Sequence, residues 1–334
     1  MSRFAVLAAA CLALAAGLFA RPASALDVTE LKMDDANKVV VMVRFRAGSI
    51  GDPEDKLGLT YATANLMTQG GAGGRSYGEI QDTLYPWAAS YGVLVDKEVT
   101  TFVFQVPTDF IDDFYPILRD VILKPNFSAE DFSRVMKNQQ NYVDQVIRAS
   151  SDEDYSKMAL EHLLFRGTNM AHMKQGNSAT VANITLDDVR AHYARVFTAS
   201  NVHVGLAGNY DETLRAQLER DLAALPATPY TAPEPGKARM PEGIEAEIIA
   251  KEGAFGSAIY TGAPLAITRA DDEFAALMVA NSWMGEHRKS YSRLYQKLRE
   301  ARSMNYGDYS YIEWYEAGGQ NQLPPFGVPR SSNY

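Results

Sequence analysis

Residues 58–65 read Gly58-Leu59-Thr60-Tyr61-Ala62-Thr63-Ala64-Asn65. They belong to a run from Leu57 to Thr68 that predicts a helix, stopped by Gly70-Gly71. Ala47-Gly48-Ser49 precedes the run and Gly73-Gly74-Arg75-Ser76 follows it. Upstream, Lys38 to Arg46 (KVVVMVRFR) is rich in β-branched residues and predicts a strand. The stretch is therefore a strand, a glycine-bounded loop and a helix.

Outward from there, Tyr77 to Tyr91 predicts a second helix and Glu98 to Val106 a half-buried strand. Phe110 to Leu123 is amphipathic and ends before Pro125. Ser128, with Glu130 and Asp131 behind it, caps a helix running to about Ser150. Asp154 to Phe165 predicts another helix, and Thr185 with Asp187 and Asp188 starts one that ends near Phe197. Val202 to Leu206 predicts a strand and Asp211 to Leu225 a helix. Five of the fifteen prolines lie between Pro226 and Pro241, which marks a linker over 226–243. Beyond it a strand is expected from Ala258 to Gly262, helices over 272–284 and 291–302, and a strand from Asn305 to Tyr311. Antiparallel strands with helices gathered on one face give an α+β fold class.

The chain has 334 residues, 46% of them hydrophobic, enough for about two packed domains. Its net charge of −9 argues against nucleic acid or an anionic membrane as general partners. The N-terminus reads as a cleavable leader: Arg3, an apolar run from Phe4 to Ala20, and Ala23-Ser24-Ala25 before the cut. Removing residues 1–25 takes away Arg3 and Arg21 and leaves a charge of about −11. It also removes Cys11, the only cysteine, so disulfide and thiolate chemistry are excluded from the mature chain. The expected location is the periplasm or the exterior, with no membrane attachment after cleavage.

The segments Ala47 to Ser49, Gly58 to Asn65 and Gly73 to Ser76 together resemble the opening domain of the insulinase and processing-peptidase family. Active members carry His-x-x-Glu-His starting three residues after the glycine. The resemblance therefore implies a zinc site at Tyr61, Ala64 and Asn65, with a downstream glutamate ligand near Tyr142. Histidines four apart on a helix share one face and suit zinc, and a glutamate beside them can activate water. None of the four residues here is a histidine or a carboxylate. The resemblance thus identifies a zinc-less member, with no cofactor in this chain.

The five histidines offer no substitute motif, because no pair lies four or fewer residues apart. Gly70 to Gly74 lacks the Lys-Ser/Thr of a phosphate loop and reads as a helix stop. The segment Ser292 to Arg302 followed by Asn305-Tyr306 is similar to the family's second domain, where an arginine and a tyrosine seven residues later face the zinc. Arg299 and Tyr306 match that spacing, and Arg302 with Tyr309 shares it. An arginine fork and a tyrosine hydroxyl are suited to holding a substrate backbone and an oxyanion.

The resemblance runs from about Val28 to Tyr315. It implies a duplicated sheet-plus-helices unit, 26–225 and 244–334, with the second copy cut short and the first hairpin, Val28 to Val43, abbreviated. It also implies a function: the zinc-less subunit of a heterodimeric peptidase, giving Arg299 and Tyr306 to a zinc-bearing partner that cleaves peptides or unfolded chains. Two alternatives stay open, a catalytically inactive scaffold and a peptidase acting alone through an unusual metal site.

Overall fold

Lys38–Phe45 (β2) alternates between fully buried and half-buried residues, so one face of this strand is wholly covered. In the computed structural model, which describes residues 26–150, 152–253, 256–267, 271–285, 289–304, 308 and 310, β2 lies at the centre of a five-stranded sheet. The other strands are Asp27–Lys32 (β1), Ser90–Val95 (β3), Thr100–Pro107 (β4) and Val202–Gly208 (β5), in the order β1-β5-β2-β4-β3. β1 pairs with β5 in parallel, and every other pair is antiparallel. The expected hairpin from Val28 to Val43 does not form, because β5 lies between β1 and β2. The leader read at 1–25 lies outside the described residues.

Helices cover the buried face. They are Leu59–Gln69 (α1), Tyr77–Leu84 (α2), Ile111–Leu123 (α3), Ala129–Asn141 (α4), Leu186–Val196 (α7) and Glu212–Leu222 (α8), while Asp152–Leu164 (α5), Ser178–Ala182 (α6) and Phe274–Gly285 (α9) put no residue in the core of the sheet. Val39, Val41, Val43 and Phe45 of β2 join Phe102 and Phe104 of β4 and Val204 and Leu206 of β5 in one core. Phe45, Phe102 and Phe197 meet with ring centroids 4.9 to 6.1 Å apart in edge-on contacts, the geometry that ring quadrupoles favour.

Local signals set several boundaries. Ser128 accepts the Asp131 amide and Thr185 forms a capping box with Asp188, as the sequence predicts. Gly58 starts α1 at φ +97°, and a Cβ there would lie 2.5 Å from the Gln175 carbonyl oxygen. Only glycine satisfies both constraints.

Three expectations are corrected. The helix over 77–91 ends at Leu84, followed by a tight turn at Tyr85–Trp87 and Ala88 at φ 51°. Ser90 and Tyr91 then open β3, a strand the sequence reading missed. The helix from Ser128 to about Ser150 holds, but Tyr142–Val146 within it is wound as a π turn. The strand expected at 258–262 forms no ladder among the described residues, and Ile259 is 84% exposed. Helix 272–284 matches α9, while 293–300 is helical and passes into a π turn at Tyr295–Glu300. Of the strand expected at 305–311, only positions 308 and 310 are described.

Candidate functional site

The α1 helix packs against α4, α7 and β3. Its residues at 62–64 and 66–68 are buried, which leaves Tyr61, Asn65 and Gln69 as a half-buried stripe four residues apart. This is the face on which paired metal ligands would stand. Two of its side-chain amides are bonded within the helix. Asn65 Nδ2 donates to the Tyr61 carbonyl at 2.9 Å, and Gln69 Nε2 donates to Asn65 Oδ1 at 2.9 Å. The Lys174 ammonium lies 5.9 Å from the Tyr61 ring centroid. Ala64 is fully buried in the core. Tyr142 is half-buried at the first residue of the π turn that follows α4.

These side chains do not fit zinc. A tyrosine, an alanine and an amide already bonded to its own helix cannot supply the imidazole, carboxylate or thiolate donors a zinc site uses. Among the described residues no group of three or more His, Cys, Asp or Glu is placed to hold a metal. The four described histidines are held separately. His162 Nδ1 donates to the Ala171 carbonyl at 3.1 Å and His172 Nε2 to the Ser49 carbonyl at 2.9 Å. His203 faces Asp27 and Thr29, and His192 faces Thr60 and Arg195.

Arg299 is held by a neighbour one turn back. It donates to the Tyr295 hydroxyl, and its guanidinium lies 4.5 Å from the centre of that ring. Tyr306 and Tyr309 lie outside the described residues, as does His287.

Sequence reasoning missed two features beside α1. The first is β3, a terminal strand of the sheet against which α1 packs. Its run of Tyr91, Val93, Leu94 and Val95 was the available signal. The second is a polar cluster. Lys97, 6% exposed, donates to the His172 carbonyl and lies 3.3 Å from Glu161. Burial and the Lys97 charge pull His172 down to about 4. Lys97, Glu161, His172 and Gln175 line a cavity of about 30 Å³, room for a water and not for a substrate.

A larger cleft of about 940 Å³ separates α5 from the chain over 239–262. Its charges are largely paired, Arg239 with Glu245 and Lys251 with Asp152, and it gathers no catalytic grouping. No helix among the described residues is long and apolar enough to cross a membrane.

The degenerate α1 face on an α+β sheet defines a peptidase-type domain without its metal ligands. Comparison with known families agrees. Residues 28–176 match the family described as insulinase (peptidase family M16), and residues 183–323 match the peptidase M16 inactive domain. The chain belongs to the M16 peptidase family. A Helicobacter pylori protein named non-peptidase homolog YmxG is 26% identical over 279 residues, 80% of this chain. A Streptomyces coelicolor protein named uncharacterized zinc protease SCO5738 is 29% identical over 156 residues, 45% of this chain. The alignments span 61% and 33% of those two proteins. The crystal structure of a peptidase M16 inactive domain from Pseudomonas fluorescens superposes with a TM-score of 0.71. It is 20% identical, and the match covers 86% of this chain and 69% of that one.

Proposed function

We propose that this chain is the zinc-less subunit of a periplasmic two-chain peptidase, binding peptides or unfolded segments for a zinc-bearing homologous partner. In this reading residues 26–225 and the part beyond the linker at 226–243 form two walls of a shared chamber. Arg299 and Tyr306 reach substrate from the second wall. The observation that carries the reading is the α1 stripe, where Tyr61 and Asn65 offer no metal donor and Asn65 is bonded into its own helix. Water activation then falls to the partner, while a fixed guanidinium and a phenol stabilise developing negative charge. The position of β3 supports peptide binding, because a terminal strand offers main-chain groups to an extended chain.

A second reading, a catalytically inactive scaffold, is favoured by one observation. Arg299 is already engaged by the hydroxyl and ring of Tyr295, as a purely structural arginine would be. The name of the Helicobacter relative points the same way.

Arg299→Ala separates the two. Mixed with a zinc-bearing homologue that retains His-x-x-Glu-His, the variant is expected to lower kcat/KM for peptide hydrolysis by about 100-fold or more while still assembling. Unchanged hydrolysis by an assembled pair favours the scaffold.

A further inference from the structure

The start of α1 is built around one carboxylate. Asp52 accepts the backbone amides of Gly58 and Thr60, both at 2.9 Å, and the Thr60 hydroxyl at 2.6 Å. The Thr60 oxygen also lies 2.8 Å from His192 Nε2, and His192 Nδ1 lies 3.0 Å from an Arg195 nitrogen. The far end of this row fixes its direction. A guanidinium only donates, so Nδ1 accepts and the imidazole proton sits on Nε2. Nε2–H therefore donates to Thr60. The Thr60 hydroxyl keeps its own proton to give, and it has two acceptors: Asp52 at 2.6 Å and the Gly48 carbonyl at 3.5 Å.

We propose that the Thr60 hydroxyl is a two-position proton latch, turned to Asp52 when that carboxylate is ionised and to Gly48 when it is protonated. The protons balance in both positions. In the acid form Asp52 O–H donates to Thr60 Oγ1, which still accepts from His192 and gives its proton to the Gly48 carbonyl. In the ionised form the negative charge caps the N-terminus of α1, where the helix dipole favours it. Acidification removes that charge and ties the Gly48 turn to α1 instead. The helix bearing Tyr61 and Asn65 is thereby held differently on either side of the transition.

The surroundings set where the change falls. Arg195 faces Asp52 from α7, where His192 meets Thr60, and Tyr230 faces it from the segment after α8. Lys56, between Asp52 and α1, is paired with Asp188 of α7. Enclosure raises the Asp52 carboxyl to about 7 against the opposing pull of Thr60, Gly58 and Arg195. Burial and Arg195 hold His192 neutral, down to about 3, so the imidazole does not titrate with it. The inference stands on the α1 geometry and is independent of the peptidase-subunit reading.

The test is a carbon-13 titration of aspartate carboxyls in the mature chain, with Asp52 assigned by its disappearance in Asp52→Asn. The expected midpoint is near 7. Thr60→Val removes the donated hydrogen bond and is expected to move the midpoint up, while Thr60→Ser leaves it in place. An Asp52 midpoint below about 5, in the ordinary carboxylate range, overturns the proposal. So does an unmoved midpoint in Thr60→Val. Should that variant not fold, amide exchange in the unaltered chain decides. Protection at Gly58 and Thr60 must change as pH passes through the same midpoint, and pH-independent protection overturns the latch.

Discussion

Asn65 gives its side-chain N–H to the carbonyl of Tyr61, one turn earlier on α1, at 2.9 Å. The two positions at which the resemblance would set zinc ligands are thus bonded to each other through the helix. Restoring a site requires replacing the stripe and adding a further ligand. The double variant Tyr61→His, Asn65→His is expected to bind zinc weakly, since two imidazoles leave the coordination shell incomplete. Adding Tyr142→Glu is expected to tighten binding about 10-fold or more, as read by calorimetric zinc titration. Equal affinities would show that the π turn points residue 142 away from α1.

Gly58 permits α1 to start where it does. At φ +97° with the Gln175 carbonyl 2.5 Å from the place of a Cβ, Gly58→Ala carries both backbone strain and a clash. The expected cost is about 2 kcal/mol or more, measured by denaturant unfolding. A loss within about 0.5 kcal/mol would contradict this account of the turn.

Phe45 lies fully buried against Phe102 and Phe197. Phe45→Ala leaves a cavity between β2, β4 and α7 and is expected to cost about 3–5 kcal/mol. A neutral substitution would mean that the ring cluster is not the centre of the core.

Acid stability follows from two groups of opposite sign. His192 and His172 are held down to about 3 and about 4 from an ordinary 6.5, so the unfolded chain takes up protons that the fold refuses. Their contribution is lost as pH falls below about 6.5. Asp52 is raised from 3.8 to about 7, so its contribution is present in acid and lost as pH rises through 7. Between these values the two histidines outweigh the one aspartate, and stability is expected to fall with acidification. Asp52→Asn removes the counterweight and is expected to steepen that fall by about 1.4 kcal/mol per pH. Unfolding free energies across the range check it, and an unchanged slope would contradict the Asp52 assignment.

The elements that were legible in the sequence are those with local signals. β2 is marked by its β-branched run, and α4 and α7 by Ser128 and Thr185 at their starts. The first two residues of β3, Ser90 and Tyr91, fall within the expected helix because Tyr85 to Tyr91 carries no strict alternation and the turn there is made by Ala88 at positive φ. The misplaced first hairpin had a different cause. β5, which separates β1 from β2, comes more than 150 residues later in the chain. Distance along the chain also hid the α1 anchorage, since Thr60 and His192 are 132 residues apart. That Tyr61, Asn65 and Gln69 share one face was legible because it follows from spacing along one helix. The commitment of Asn65 to that helix was not, because it depends on a side-chain rotamer.

A zinc-less subunit brings no zinc of its own to the chemistry. The deciding measurement is metal analysis of the purified chain after dialysis against zinc-free buffer. Zinc far below one ion per chain is expected, with no peptide hydrolysis by the chain alone. One tightly bound zinc per chain would contradict it.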